Sequence, residues 1–184
     1  MRSLIAFGVG CLFGALAIWG WSAVGNHSGG AAPYAGQQQR SVSSLSSEDI
    51  AELEKGAGWG LAKPAELNGY PGPLHILELA DKLDLSAAQR ATIERTFAEM
   101  NGEARRLGVA LIAAEKGVDA LFQQANVTPQ LLGERLAASE SIRADLRSTH
   151  LAAHVAVTPL LSQAQKELYA ELRGYAASGG HSGH

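Results

Sequence analysis

Apolar residues recur at spacings of three and four along most of the second half of the chain, which is the period of an amphipathic α-helix. The longest such run begins at Ile93 and ends at Leu121, about eight helical turns later. A polar break follows, in which Thr128 suits an N-cap and Pro129 suits the first turn of a helix. A second periodic run then continues toward Val157. Two long helices joined by a short turn predict an antiparallel hairpin.

Shorter periodic stretches surround this hairpin. They cover about residues 46–55, 74–83 and 163–173, and the first of them ends at Gly56. No stretch of the sequence alternates apolar and polar residues as a half-buried strand does. The pattern therefore predicts an all-α protein whose main domain contains four helices, with one more short helix before it.

The N-terminal segment is apolar throughout. From Leu4 to Val24 it has 21 residues without a charge, and a membrane-spanning helix needs about 20. Arg2 precedes the segment and the next positive charge is Arg40, so the positive-inside rule leaves the N-terminus in the cytoplasm. The segment predicts an uncleaved anchor in the inner membrane, with the rest of the chain in the periplasm. Small residues at 22–25 leave cleavage as a signal peptide open.

Composition divides the chain into five segments. Residues 1–25 are the predicted transmembrane signal anchor, and residues 26–45 are small and polar, as in a flexible linker. Within residues 46–73, residues 46–55 form the short helix, and residues 56–73 form a strap rich in glycine and proline. The aromatic and leucine side chains of the strap predict that it lies on the domain. Residues 74–175 form the helical domain. Residues 176–184 predict a disordered tail that contains histidine.

Charge and cysteine content exclude several classes of protein. The net charge is −3 and the basic residues are spread among acidic ones without forming a patch, which argues against binding to nucleic acid. Cys11 is the single cysteine, so the chain cannot form an internal disulfide or a cysteine-rich zinc site. No nucleophile elbow or glycine-rich phosphate loop frames the serines and histidines. We therefore do not expect an enzyme.

Two helix starts share one pattern of capping residues. In both, leucine precedes a serine N-cap, and glutamine follows three residues after the serine, as in a capping box. The residues are Leu85, Ser86 and Gln89 at the start of the long helix, and Leu161, Ser162 and Gln165 at the start of the last one.

This repeated pattern resembles the "LTxxQ" motifs of the Spy/CpxP family, with serine in place of threonine. The resemblance covers about residues 74–175. It implies a hooked four-helix domain that forms a homodimer. It also implies a function among those of the family, which includes periplasmic chaperones, envelope-stress regulators and membrane-anchored heavy-metal sensors.

A pair of histidines suggests metal chemistry. His150 and His154 are four residues apart, so both lie on one face of the predicted helix and can reach one ion. Reflection across the hairpin turn places them opposite Glu103 and Glu99. Histidine and glutamate together suit Zn²⁺, Ni²⁺, Co²⁺ or Cu²⁺ better than Ca²⁺ or Mg²⁺. Alternatively, the acids belong to exposed ion pairs and the histidines to the edge of the core.

The family resemblance adds one further candidate ligand. The anchored metal sensors of the family bind their ion through histidines at the start of the first helix, an acid on the second, and a pair four apart late in the third. His75 stands at the first of these places, where Glu78 replaces a second histidine. His150 and His154 match the late pair.

Two functions follow as expectations. The first is a membrane-tethered periplasmic metal sensor or metal-resistance accessory that acts on a regulatory partner in the membrane. The second is a periplasmic chaperone or envelope-stress accessory that binds unfolded proteins. Its basic residues would have to cluster on one side of the hairpin, as they do in the soluble chaperones of the family.

Overall fold

Helices are the only regular elements in residues 32–176, which a computed structural model of the chain describes. The predicted all-α class is confirmed for this part of the chain. The α-helices are α1 (Ser47–Lys55), α2 (Lys63–Glu66), α3 (Pro73–Glu78), α4 (Ala87–Gln123), α5 (Pro129–Val157) and α6 (Gln163–Leu172). Short 3-10 helices lie at Gln37–Gln39 and Thr158–Leu160.

The hairpin of α4 and α5 is the centre of the fold. The two helices have 37 and 29 residues, and their facing side chains include Leu111 and Leu146, both almost fully buried. The Thr128 hydroxyl accepts a hydrogen bond from the backbone N–H of Leu131, and Pro129 is the first helical residue. The predicted start of the second long helix is therefore confirmed.

Helix α1 packs across α4 at very short range. A side chain at Gly108 would place its Cβ only 2.3 Å from the carbonyl oxygen of Leu53, so only glycine allows this approach. At the end of α1, Gly56 has a φ of 67°, and the Asn101 side chain donates to the carbonyl oxygens of Lys55 and Gly56. The end of α1, where the strap begins, is thus fixed against α4.

Two segments differ from the sequence expectation. Helix α3 ends at Glu78, because the chain then turns so that Leu83 enters the core near α6. The end of the predicted linker is also packed: Val42 and Leu45 are buried beside the hairpin. The Ser44 hydroxyl there donates to Glu115 at 2.7 Å. Two apolar side chains in a polar stretch were too weak a pattern to predict this contact.

The two capping boxes form as predicted and also bind each other. Each serine accepts from the backbone N–H three residues on, and each glutamine accepts from the serine N–H. The Gln89 amide donates to Gln165 at 2.9 Å and to the Leu160 carbonyl at 2.7 Å. The Gln165 amide donates to the Leu83 carbonyl at 3.2 Å. The starts of α4 and α6 are therefore joined side by side.

No helix in residues 32–176 is long and apolar enough to cross a membrane. The predicted anchor, residues 26–31 of the predicted linker and residues 177–184 of the predicted tail lie outside the described residues.

Replacing Gln165 with alanine tests the paired caps. The change removes one capping bond and the bonds to Leu83 and Gln89, so we expect a loss of about 2 kcal/mol in the free energy of unfolding. Gln163→Ala is the matched control, since its amide contacts only Glu167 one turn away, and should cost less than about 0.5 kcal/mol. Urea denaturation measures both. Equal effects of the two substitutions would contradict a structural role for the pairing.

Candidate metal centre

A groove of about 700 Å³ lies where the strap crosses the hairpin. It is bounded by the end of α1, the strap with α2, the start of α3, the first half of α4 and the last turns of α5. Its apolar walls include Trp59, Leu67, Leu74, Phe97 and Met100. The three histidines singled out in the sequence, His75, His150 and His154, all line it. The structure thus brings these three predicted residues to one place.

The polar side of the groove is organised by a buried carboxylate that the sequence did not reveal. Glu66, at the end of α2, has a side chain that is only 9% exposed. Its Oε1 accepts a hydrogen bond from the hydroxyl of Tyr169, and its Oε2 accepts from the backbone N–H of Gly72 at 3.1 Å. Burial and the Glu66 carboxylate raise the pKa of Tyr169 well above its usual value. The phenol therefore stays protonated and remains a donor.

Three side chains that are cationic or can become so surround Glu66, and they come from α3, from α5 and from the residue that follows α6. His75 on α3 places Nδ1 at 3.5 Å from Oε1, and His154 on α5 places Nδ1 at 3.7 Å from Oε2. Arg173, just after α6, places Nε at 3.8 Å from Oε1. A buried carboxylate needs such partners. Glu66 therefore ties the strap to α3, α5 and α6 at once.

His154 has a defined tautomer. Its Nδ1 is 2.8 Å from the carbonyl oxygen of Tyr70, and a carbonyl oxygen can only accept a hydrogen bond. Nδ1 therefore carries the hydrogen, which leaves Nε2 of the neutral ring as a lone-pair donor. Metal-binding histidines commonly donate their second ring N–H to a carbonyl in this way. Gly72 makes room for the ring, since a Cβ there would lie 2.7 Å from His154 Cε1.

His150 is the most unusual residue of the groove. It is 3% exposed, and its Nε2 has no hydrogen-bond partner among the described residues. Burial, and secondarily the neighbouring His154, lower the pKa of His150 below the ordinary value. The ring is therefore neutral at pH 7, which is the protonation state that binds metal.

His75 is less free to bind a ligand. Its Nδ1 faces Glu66, and its Nε2 lies 3.4 Å from Nη2 of Arg173. Both ring nitrogens thus have partners in the described structure. His75 would have to release Arg173 before it could bind an ion.

The acids predicted on α4 do not join the histidines. Glu99 is exposed, and Glu103 is exposed in an ion pair with Arg106 whose shortest distance is 2.5 Å. The hydrogen bond from Arg106 lowers the pKa of Glu103. Reflecting the two histidines across the hairpin turn placed Glu99 and Glu103 at the correct height along α4, since Phe97 and Met100 line the groove there. The reflection did not predict which side of α4 faces α5, and the two acids lie on another side.

The donor set suits a transition metal but is incomplete as it stands. His150, His154 and Glu66 offer the nitrogen and oxygen ligands that Zn²⁺, Ni²⁺, Co²⁺ and Cu²⁺ accept. Within residues 32–176, however, no three His, Cys, Asp or Glu side chains already stand together at metal-binding spacing. An ion bound by His150 and His154 therefore needs ligands from a rearranged side chain, from another part of the chain, or from water.

Comparison with protein-family models, with curated proteins and with solved structures gives no match to the chain. The resemblance to the Spy/CpxP family therefore stays a prediction from the two capping motifs.

Replacing His150 with leucine tests whether its imidazole serves stability. Leucine has a similar size and removes a buried nitrogen without a partner, so we expect the free energy of unfolding at pH 7 to rise by about 1 kcal/mol. His154→Leu is the matched control and should lower it by about 1–2 kcal/mol, because the Tyr70 carbonyl loses its donor. A clear loss of stability in His150→Leu would contradict the assignment of an unpartnered nitrogen.

The free energy of unfolding of His150→Leu should also depend less on pH than that of the unaltered chain. The folded-state pKa of His150 is lowered from 6.5, so below about pH 7 the unfolded chain binds a proton that the folded chain resists. The pKa difference of His150 therefore costs no stability above about pH 7, and the free energy of unfolding falls as the pH drops through 6.5 toward the folded-state pKa. Urea denaturation between pH 7.5 and about 5 should show a smaller loss for His150→Leu than for the unaltered chain.

Proposed function

We propose that this protein is a membrane-tethered periplasmic metal-binding module that acts as a sensor or metal-resistance accessory of the Spy/CpxP type. The observation that carries the proposal is the buried, unpartnered Nε2 of His150 beside His154 in the groove. The tether is the apolar segment from Leu4 to Val24. A homodimer and a regulatory partner in the membrane belong to the same proposal, on the family resemblance.

The energetics of His150 favour a ligand-binding role over a structural one. A buried polar nitrogen without a partner costs about 1–3 kcal/mol, and buried polar side chains mostly have partners. A bound ion would accept the Nε2 lone pair and remove that cost. His154 would bind through its own Nε2, which in the neutral ring carries no hydrogen because Nδ1 donates to the Tyr70 carbonyl.

The surroundings of the histidines provide a route from binding to a change of conformation. Nδ1 of His154 contacts the strap through the Tyr70 carbonyl and lies 3.7 Å from Glu66. An ion at His154 would shift the balance among Glu66, His75 and Arg173, and so the attachment of the strap to α3 and α6. A metal acts in this way only if it binds one arrangement of the strap more tightly than another.

Calorimetric titration of the full-length chain in mild detergent tests the proposal, with Zn²⁺, Ni²⁺, Co²⁺ and Cu²⁺ as ligands. We expect at least one ion to bind with a dissociation constant in the micromolar range or below. His150→Ala/His154→Ala should weaken this binding by about 100-fold or more, because both imidazole ligands are lost.

Glu99→Gln/Glu103→Gln is the matched control, since it alters two acids of the same hairpin that lie outside the groove. Its affinity should stay within about threefold of the unaltered chain. Binding that survives in the histidine variant, or no binding of any of the four ions, would contradict the proposal.

A chaperone function is the second candidate, and exposed apolar side chains at the groove favour it. Leu67 and Leu74 line the groove and are 60% and 44% exposed, so an apolar segment of an unfolded client could contact them. Substoichiometric amounts of the full-length chain should then slow the aggregation of a denatured client protein. Leu67→Ser/Leu74→Ser should lose that effect, and no effect of the unaltered chain would contradict this function.

A further inference from the structure

We propose that the thioether of Met100 completes the metal site with His150 and His154, and that the site therefore prefers copper in its reduced state, Cu⁺. The inference rests on the proposed function and deepens it by naming the third ligand and the ion. Met100 belongs to α4 and lines the groove together with both histidines. All three proposed ligands thus lie in the part of the chain that the structure describes.

The first support is the height of Met100 along the hairpin. The Ser139 hydroxyl on α5 donates to the Glu115 carboxylate on α4 at 2.6 Å, so these two residues stand opposite each other. His154 follows Ser139 by fifteen residues, and Met100 precedes Glu115 by fifteen residues. Both helices rise by about 1.5 Å per residue, so Met100 and His154 stand at the same height. His150 lies one turn nearer to the hairpin turn, and an ion held by both histidines would therefore face this part of α4.

The second support is the side of α4 on which Met100 lies. Met100 is seven residues, which is about two turns, from both Ile93 and Leu107, and these are 0% and 5% exposed. It therefore shares the buried side of α4, unlike Glu99 and Glu103, which are exposed. The Met100 side chain is partly buried at the wall of the groove. Methionine has three rotatable bonds, so its sulfur can turn toward an ion at the histidines.

The third support is that other possible ligands in the groove are already engaged. Glu66 lies on the Nδ1 side of His154, whereas the proposed ion binds Nε2. The Glu66 oxygens also accept hydrogen bonds from Tyr169 and from the Gly72 backbone. Both ring nitrogens of His75 face charged partners. Within residues 32–176, no three His, Cys, Asp or Glu side chains stand at metal-binding spacing, and a thioether is a donor outside these four types.

The chemistry of the three donors determines which ion they prefer. Thioether sulfur is a soft ligand that selects Cu⁺, and imidazole also suits copper. Protein sites for Zn²⁺ use cysteine, histidine, aspartate or glutamate instead. Two imidazoles and a thioether are all uncharged when they bind an ion. A singly charged ion therefore brings less uncompensated charge into this largely apolar groove than a divalent ion does.

Competition for Cu⁺ between the full-length chain and bathocuproine disulfonate tests the inference, in mild detergent without oxygen. The parent chain and all variants carry Cys11→Ser, because a thiolate would bind Cu⁺ by itself. Met100→Leu conserves side-chain volume and removes the sulfur. We expect it to raise the dissociation constant for Cu⁺ by about 10-fold or more, and to leave that for Zn²⁺ within about threefold of the parent.

Phe97→Leu is the matched control, because it alters the same wall of the groove and keeps the Met100 sulfur. Its affinity for Cu⁺ should stay within about threefold of the parent chain. Copper X-ray absorption spectra supply a second measurement, which a purely structural role of Met100 would not change. We expect a sulfur ligand to copper in the parent chain and in Phe97→Leu, and its loss in Met100→Leu.

The outcomes separate this inference from the proposed function, with His150→Ala/His154→Ala as the further variant. If that variant loses binding but Met100→Leu binds Cu⁺ as the parent does, the inference is overturned and the proposed function stands. The same holds if Met100→Leu weakens Cu⁺ and Zn²⁺ equally, or if the parent binds Zn²⁺ but not Cu⁺. Binding of every ion that survives in the histidine variant, or no binding of any ion by the parent, would overturn both.

Discussion

The burial of one carboxylate governs the arrangement of this domain around its groove. Glu66 belongs to a strap that has little regular structure of its own, yet its side chain is almost fully enclosed. A buried charge is stable only with partners, and here they come from the Tyr169 hydroxyl on α6, the Gly72 backbone, and the side chains of His75 and His154. The strap therefore cannot take another position without leaving these partners unsatisfied, and the groove beneath it has a defined shape.

The histidines of the groove differ in how far this network satisfies them. His75 and His154 each have a partner for at least one ring nitrogen, whereas Nε2 of His150 has none among the described residues. A domain optimised for stability alone would place an apolar residue at position 150, since the surrounding walls are largely apolar. The contrast between a fully used His75 and an unused His150 is the physical reason for proposing a ligand here.

Local signals account for what the sequence predicted well. The long helices, the Thr128 cap and both serine capping boxes depend on residues close together in the chain, and the structure places them as predicted. The convergence of His75 with the pair on α5 followed from the family resemblance and is also found.

Glu66 was missed, because nothing in a Gly- and Pro-rich strap distinguishes an acid that will be buried from one that stays in solvent. Its role depends on Tyr169, 103 positions later. Glu99 and Glu103 were placed at the right level on α4, but the rotation of a helix about its axis is set by packing of the whole hairpin.

Long-range ¹H–¹⁵N spectra of the histidine rings show directly whether His150 and His154 bind a metal ion, because they report each imidazole separately before and after Zn²⁺ is added. The chain has six histidines, and single substitutions assign them. Before Zn²⁺ is added, we expect the hydrogen of His154 on Nδ1. On saturation with Zn²⁺, we expect the Nε2 signals of both His150 and His154 to change. Spectra in which His150 and His154 stay unchanged while other histidines bind the ion would contradict it.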